Sequence, residues 1–178
     1  NAKVQVSATG VNEDGQKITI PVMRRGIRSK GLGWSTFRIP HSAKVAVSVY
    51  SPPHPLVEYV FYIDADELEK VLELELPAHV QTTSPEIELD VPANIPAGSR
   101  DWFVRTLGPK TGHHLSSFIF VDRSPRPFEV PEGDYIFEID EFVISMCGMG
   151  PPRKQSIVPH AAPWSSKNPK PIVLRPQL

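Results

Sequence analysis

Val4-Gln5-Val6-Ser7-Ala8, the turn-rich run Asn12-Glu13-Asp14-Gly15, and Ile18-Thr19-Ile20-Pro21-Val22 decide how this chain is read. Apolar and polar residues alternate on both sides of the run, the period of a strand that buries one face. Asp14-Gly15 supplies the permissive backbone that a tight connection needs, so the two segments predict a β-hairpin. The same period returns at 44–50 and 57–63, on either side of the rigid Ser51-Pro52-Pro53-His54-Pro55. Leu72, Leu74 and Leu76 alternate with Glu73 and Glu75, and Ile87, Leu89 and Val91 alternate with Glu86, Glu88 and Asp90. Segments 102–107, 117–121 and 135–146 complete the set, the last long enough to bend or break near Glu141. The Gly- and Arg-rich stretch 24–33 reads as a loop, and at most one short helical turn is expected near 65–70.

Proline occupies 20 of 178 positions, roughly twice the usual ~5%. Scattered between apolar runs, it excludes long helices and favours many short strands. The expected fold is therefore all-β: an antiparallel β-sandwich or jelly-roll-like domain of about nine or ten short strands. Residues 1–150 are assigned to that domain. A weak internal duplication is legible within it, with 39–64 echoed by 95–122. Both stretches run from an Ile-Pro pair through a strand to a proline, a histidine and an aromatic strand ending in aspartate.

The last stretch, 151–178, holds seven prolines, five basic residues and no acid. Such a composition favours an extended, PPII-like arm over a core strand. Yet Ile157, Val158, Trp164, Ile172, Val173, Leu174 and Leu178 suit an arm lying on a surface, its own domain's or a neighbour's. At the other end the chain begins at Asn1, as a processed, trimmed or excised chain would.

Charge is segregated more sharply than the net value of −1 suggests. From Gly15 to Val57 there are seven basic residues and no acid; from Glu58 to Asp90 there are ten acids and only Lys70. If the strands carrying Leu72 and Leu89 pair, then Glu73, Glu75, Glu86, Glu88 and Asp90 share a face and repel one another. The basic arm, a basic segment of the same molecule or bound cations would relieve that repulsion. Alternatively, the charges simply keep an edge strand from aggregating. The near-neutral balance offers no global attraction to nucleic acid, and no apolar run reaches the ~18 residues of a membrane span. The lone Cys147 rules out a disulfide framework. It fits a cytoplasm or a virion-like particle and is equally compatible with secretion.

Catalytic signatures are missing. There is no Gly-x-Ser-x-Gly elbow, no His-Glu-x-x-His and no Cys-x-x-Cys. Met146-Cys147-Gly148-Met149 lacks the nearby histidine of a copper site. Glu138, Asp140 and Glu141 are neighbours that strand alternation alone generates. The basic loop with Gly26, Gly31 and Gly33 has no strand-to-helix context for a phosphate. Asp64, Asp66 and Glu67 crowd three oxygen donors that would suit calcium, or serve as first-turn acids of a helix.

The expectation is a non-catalytic structural or interaction protein that works by self-assembly or partner binding, as in a particle, coat, appendage or multisubunit complex. A homo-oligomer or larger assembly is expected. Trp164, Ile172, Val173 and Leu174 would anchor the arm, Lys167, Lys170 and Arg175 would steer it, and Glu73, Glu75, Glu86, Glu88 and Asp90 would receive it. Two alternatives stay open. One is a carbohydrate-binding, lectin-like domain using Trp34, His54, His113 and Asp122, with or without calcium. The other is a metal-dependent enzyme built on the loop histidines.

Overall fold

Proline has no backbone N–H, so a strand that contains one is confined to a sheet edge or a bulge. The computed structural model obeys this throughout. It describes residues 2–11, 14–27, 42–64, 66–67, 70–73, 76–91, 100–121, 124–125, 128–144 and 153–177. These fold as strands and connections without a helix, and none of them forms a helix long and apolar enough to cross a membrane. Two compact units divide the chain: 1–80 with 110–113, and 81–109 with 114–178.

The first unit is built on the hairpin of β1 (Ala2–Val11) and β2 (Lys17–Ile27), followed by β3 (Ala43–Tyr50) and β4 (Val57–Ile63). The sheet order is β2-β1-β3-β4, antiparallel throughout. Val4, Val6 and Ala8 of β1 face Val49, Val47 and Val45 of β3, and all six are buried. Ile20, Val57, Phe61 and Leu76 pack against this apolar row. Gly15 takes a positive φ of 76° at the hairpin turn, which a side chain would disfavour. β2 continues through Ile27 where a loop was expected, its residues 24–27 pairing with 2–5 of β1. Once the turn sets the register, each further pair adds main-chain hydrogen bonds whatever the side chain.

In the second unit the strands are β5 (Thr82–Thr83), β6 (Ile87–Leu89), β7 (Arg100–Leu107), β8 (His114–Val121), β9 (Ser124–Pro125), β10 (Val130–Pro131), β11 (Asp134–Ile144), β12 (Arg153–Ser165) and β13 (Ile172–Leu174). Its main sheet is five-stranded, in the order β12-β11-β7-β8-β9, with antiparallel neighbours. β10 pairs with β5 antiparallel, and β13 pairs with β6 in parallel. Trp102, Val104, Leu115, Phe120, Tyr135, Phe137, Ile139 and Trp164 are buried. Phe128 stacks on Phe118 at 3.7 Å between centroids, and Phe137 meets Trp164 edge-on at 6.1 Å. The Tyr135 hydroxyl donates to the Pro131 carbonyl at 2.9 Å, so the most central aromatic keeps its polar end satisfied. The expected irregularity in β11 is a bulge between Ile139 and Glu141.

Three segments bear directly on expectations drawn from the sequence. Within 151–178, Arg153–Ser165 forms an edge strand of the second unit's sheet. Pro159 and Pro163 are accommodated there because an edge has an unpaired row of backbone groups to spare. The Leu72–Leu76 segment is not a strand in its described residues; Leu72 is exposed and Leu76 packs on the first unit's core. The described residues of 65–70 form no helix, in keeping with at most one short helical turn there, and the Glu67 N–H donates to the Asp64 carbonyl in a simple turn. The hairpins β3–β4 and β7–β8 occupy matching places in the two sheet orders. The partner hairpin, β1–β2 or β11–β12, flanks each on the same side.

Gly10 tests the first sheet's packing. A Cβ there would run into the Ser42 carbonyl oxygen and lie 3.0 Å from the Ala43 Cα, both backbone atoms. Gly10→Ala is expected to lower unfolding free energy by about 1–3 kcal/mol, read as a shift of the urea midpoint with unchanged slope.

Candidate interaction surface

The alternation Ile87-Glu88-Leu89 buries both apolar side chains and leaves the glutamate exposed. β13 repeats the pattern: Ile172 and Leu174 are buried and Val173 is exposed. Their backbones are laced together, the Ile172 N–H donating to the Glu86 carbonyl and the Asp90 N–H to the Leu174 carbonyl, each at 2.9 Å. Just past the pair, Arg175 Nε donates to Asp90 Oδ2 at 3.1 Å. The Arg175 N–H is directed at His160 Nδ1 of β12 at 3.3 Å, and the Val158 N–H donates to the Gln177 carbonyl at 2.9 Å. The terminal segment thus lies between β6 and the outer edge of β12. Burying Ile172 and Leu174 contributes about 1.5–3 kcal/mol each. The ion pair is exposed on both sides and adds direction more than strength.

The connection into this segment is built differently. Ser166 is pinned to Gly133 by reciprocal hydrogen bonds of 2.9 and 3.0 Å. From Lys167 to Pro171 every residue is exposed. A cleft of 450 Å³ separates this stretch from the end of β12, lined by residues including Asp134, Trp164, Asn168, Lys170 and Val173.

The expected partner-binding residues therefore split. Trp164 is buried in its own unit against Tyr135 and Phe137, so it is a core residue and offers no free anchor. Ile172, Val173, Leu174 and Arg175 do meet the acidic strand at Glu86, Glu88 and Asp90, within one chain. Lys167 and Lys170 are exposed beside them. Glu73 is exposed in the first unit and outside any strand, so it does not join that face; Glu75 lies outside the described residues.

Of the alternative ligand set, Trp34 and Asp122 lie outside the described residues, as do His41 and the 146–149 sulfur cluster. Glu67 is engaged by Lys70 at 2.9 Å, while Asp64 and Asp66 are exposed beside it. Among the described residues no group of three metal-ligating side chains forms. Arg105 bridges the carboxylates of Glu138 and Asp140.

His113 is a different object from the loop histidine expected. It is buried at 2% exposure in the first unit, its Nε2 2.8 Å from Ser7 Oγ and its Nδ1 2.8 Å from Ser48 Oγ. Ser48 faces Glu58 across the sheet. The Glu58 carboxylate in turn accepts the Lys110 N–H, the Thr111 N–H and, at 2.6 Å, the Thr111 hydroxyl. Gly112, at φ 69°, makes the turn between Thr111 and His113. Spacing pointed to none of this, because Glu58 and His113 are polar residues far apart in sequence; only the polar Ser48 among the apolar residues 45–50 of β3 signals it. With both ring nitrogens engaged, His113 acts as a polar pin for the 110–113 loop. His113→Ala is expected to cost about 2–3 kcal/mol, because it strips partners from two hydroxyls, one fully buried. Urea denaturation of His113→Ala beside His114→Ala, whose imidazole is half-exposed, checks this; equal midpoints would contradict it.

Of the loop histidines, the half-buried His54 meets the exposed His79; the exposed Tyr59, Val60 and Tyr62 on the edge strand β4 are surface features that the pattern of the sequence did not single out. No protein-family model, curated protein or solved structure matches this chain.

Proposed function

We propose that this protein is a non-catalytic β-structural module that self-assembles by exchanging its C-terminal strand between copies. What carries the reading is the parallel pairing of β13 with β6, closed at its end by Arg175 and Asp90. Every contact of that pair joins a segment beyond an exposed connection to a surface formed earlier in the chain. The same contacts form equally well when the segment comes from a second copy, which is the condition for strand exchange. Pro169 and Pro171 stiffen the connection and favour an extended path over a tight reversal. Departure of the segment would bare Ile87, Leu89 and the outer edge of β12, a surface that a neighbour's segment would cover again. Lys167, Lys170 and Arg175, set against Glu86, Glu88 and Asp90, would steer the approach.

Light scattering across a concentration series tests the reading with three chains: the full protein, a 1–168 truncation, and a Pro169→Gly/Pro171→Gly double variant. The full protein is expected to be a dimer or larger, and the truncation a folded monomer. The double variant should shift toward monomer, because a flexible connection lets the strand close on its own chain. A full-length protein that stays monomeric into the high micromolar range would defeat the proposal, as would an oligomer of unchanged mass in the double variant.

A further inference from the structure

The loops at 51–54 and 77–80 of the first unit are tied together. The His54 N–H donates to the Ser51 carbonyl at 2.9 Å, and the Val80 N–H to the Pro53 carbonyl at 3.2 Å. On this frame His54 Nδ1 lies 2.7 Å from the Pro77 carbonyl oxygen. A carbonyl only accepts, so Nδ1 carries the proton and the lone pair of a neutral His54 sits on Nε2. That is the orientation by which a protein presents an imidazole to a metal: the far nitrogen donating to a carbonyl, the near one free to coordinate.

His79 completes the arrangement. Its Nε2 lies 3.1 Å from His54 Nε2, with the rings nearly perpendicular and their centroids 4.3 Å apart. A linear N–H···N bond would hold the centroids further apart than this, so the two nitrogens meet at an angle. Two metal–nitrogen bonds of about 2.0–2.1 Å to atoms 3.1 Å apart enclose an angle of roughly 100°. That lies between the values for square-planar and tetrahedral neighbours. Metal binding would move the single ring proton of a neutral His79 to Nδ1, so that the Nε2 lone pairs of both rings face the cation.

We infer that His54 and His79 form a two-histidine site for a borderline divalent cation, Cu²⁺ in preference to Zn²⁺, with the remaining coordination positions filled by water. Imidazole nitrogen favours these ions over Ca²⁺ and Mg²⁺. Both histidines belong to the first unit, whereas β6, β12 and β13 belong to the second.

The test titrates Zn²⁺, Cu²⁺ and Ca²⁺ separately into the full chain carrying Cys147→Ser, which removes the competing thiol, with calorimetry and long-range ¹H–¹⁵N spectra of the imidazoles. The metal-free spectrum is expected to show His54 as the Nδ1–H tautomer. Zn²⁺ should bind at one equivalent and move the Nε2 resonances of His54 and His79 together. His54→Ala and His79→Gln should each weaken binding by about tenfold or more, with unchanged far-UV circular dichroism. His160→Ala should bind like the parent. Binding that survives both loop variants, no binding by millimolar Zn²⁺ or Cu²⁺, or the opposite tautomer at His54 would overturn the assignment.

Discussion

Backbone hydrogen bonding in a proline-rich chain is the constraint on which the rest depends. Interior strands must supply N–H groups on both sides, and β1, β3, β7, β8 and β11 contain no proline. In the two main sheets, strand prolines fall at Pro21 in β2, Pro125 in β9, and Pro159 and Pro163 in β12, each an edge. Proline position therefore orders the sheets as much as hydrophobic alternation does. It also explains why one edge, β12, is long yet still requires cover from the terminal segment.

A second constraint governs the first unit. Its sheet is apolar on one face and carries Ser48 and Gln5 buried on the other. A buried hydroxyl without a partner is costly, and the 110–113 loop supplies His113 in answer. Glu58 fixes that loop through its backbone, which makes the carboxylate a structural element although it sits in the most acidic part of the chain. The charge segregation seen in the sequence is thus divided among different tasks: a loop clamp at Glu58, a turn at Glu67, and a strand-end pair at Asp90.

Strands whose pattern alternates over a full length were legible: the first hairpin, both later hairpins and β11 all fall where period-two reading puts them. What escaped that reading depended on partners rather than on period. The leucines at 72 and 76 alternate, but Ile87–Leu89, their expected partner, pairs with β13 instead. β12 carries Pro159 and Pro163, and proline does not distinguish an edge strand from a free extended segment. His54 and His79 meet across 25 positions through a loop geometry that no local pattern encodes. Trp164 stands in the proline-rich stretch assigned as an arm, whereas its burial goes with its pairing to Tyr135 across the β11–β12 ladder.

The long sequence separation within the β6–β13 pair has a consequence for the order in which the protein is made. Residues 87–89 leave the ribosome well before 172–174 exist, so Ile87 and Leu89 spend most of the second unit's synthesis without their cover. The 110–113 loop arrives similarly late for the first sheet, whose buried Ser48 waits for it until β7 has been translated. Nascent chains on one message are close neighbours during that interval. Which strand reaches β6 first, the chain's own or an adjacent chain's, is then a matter of translation timing as well as of equilibrium.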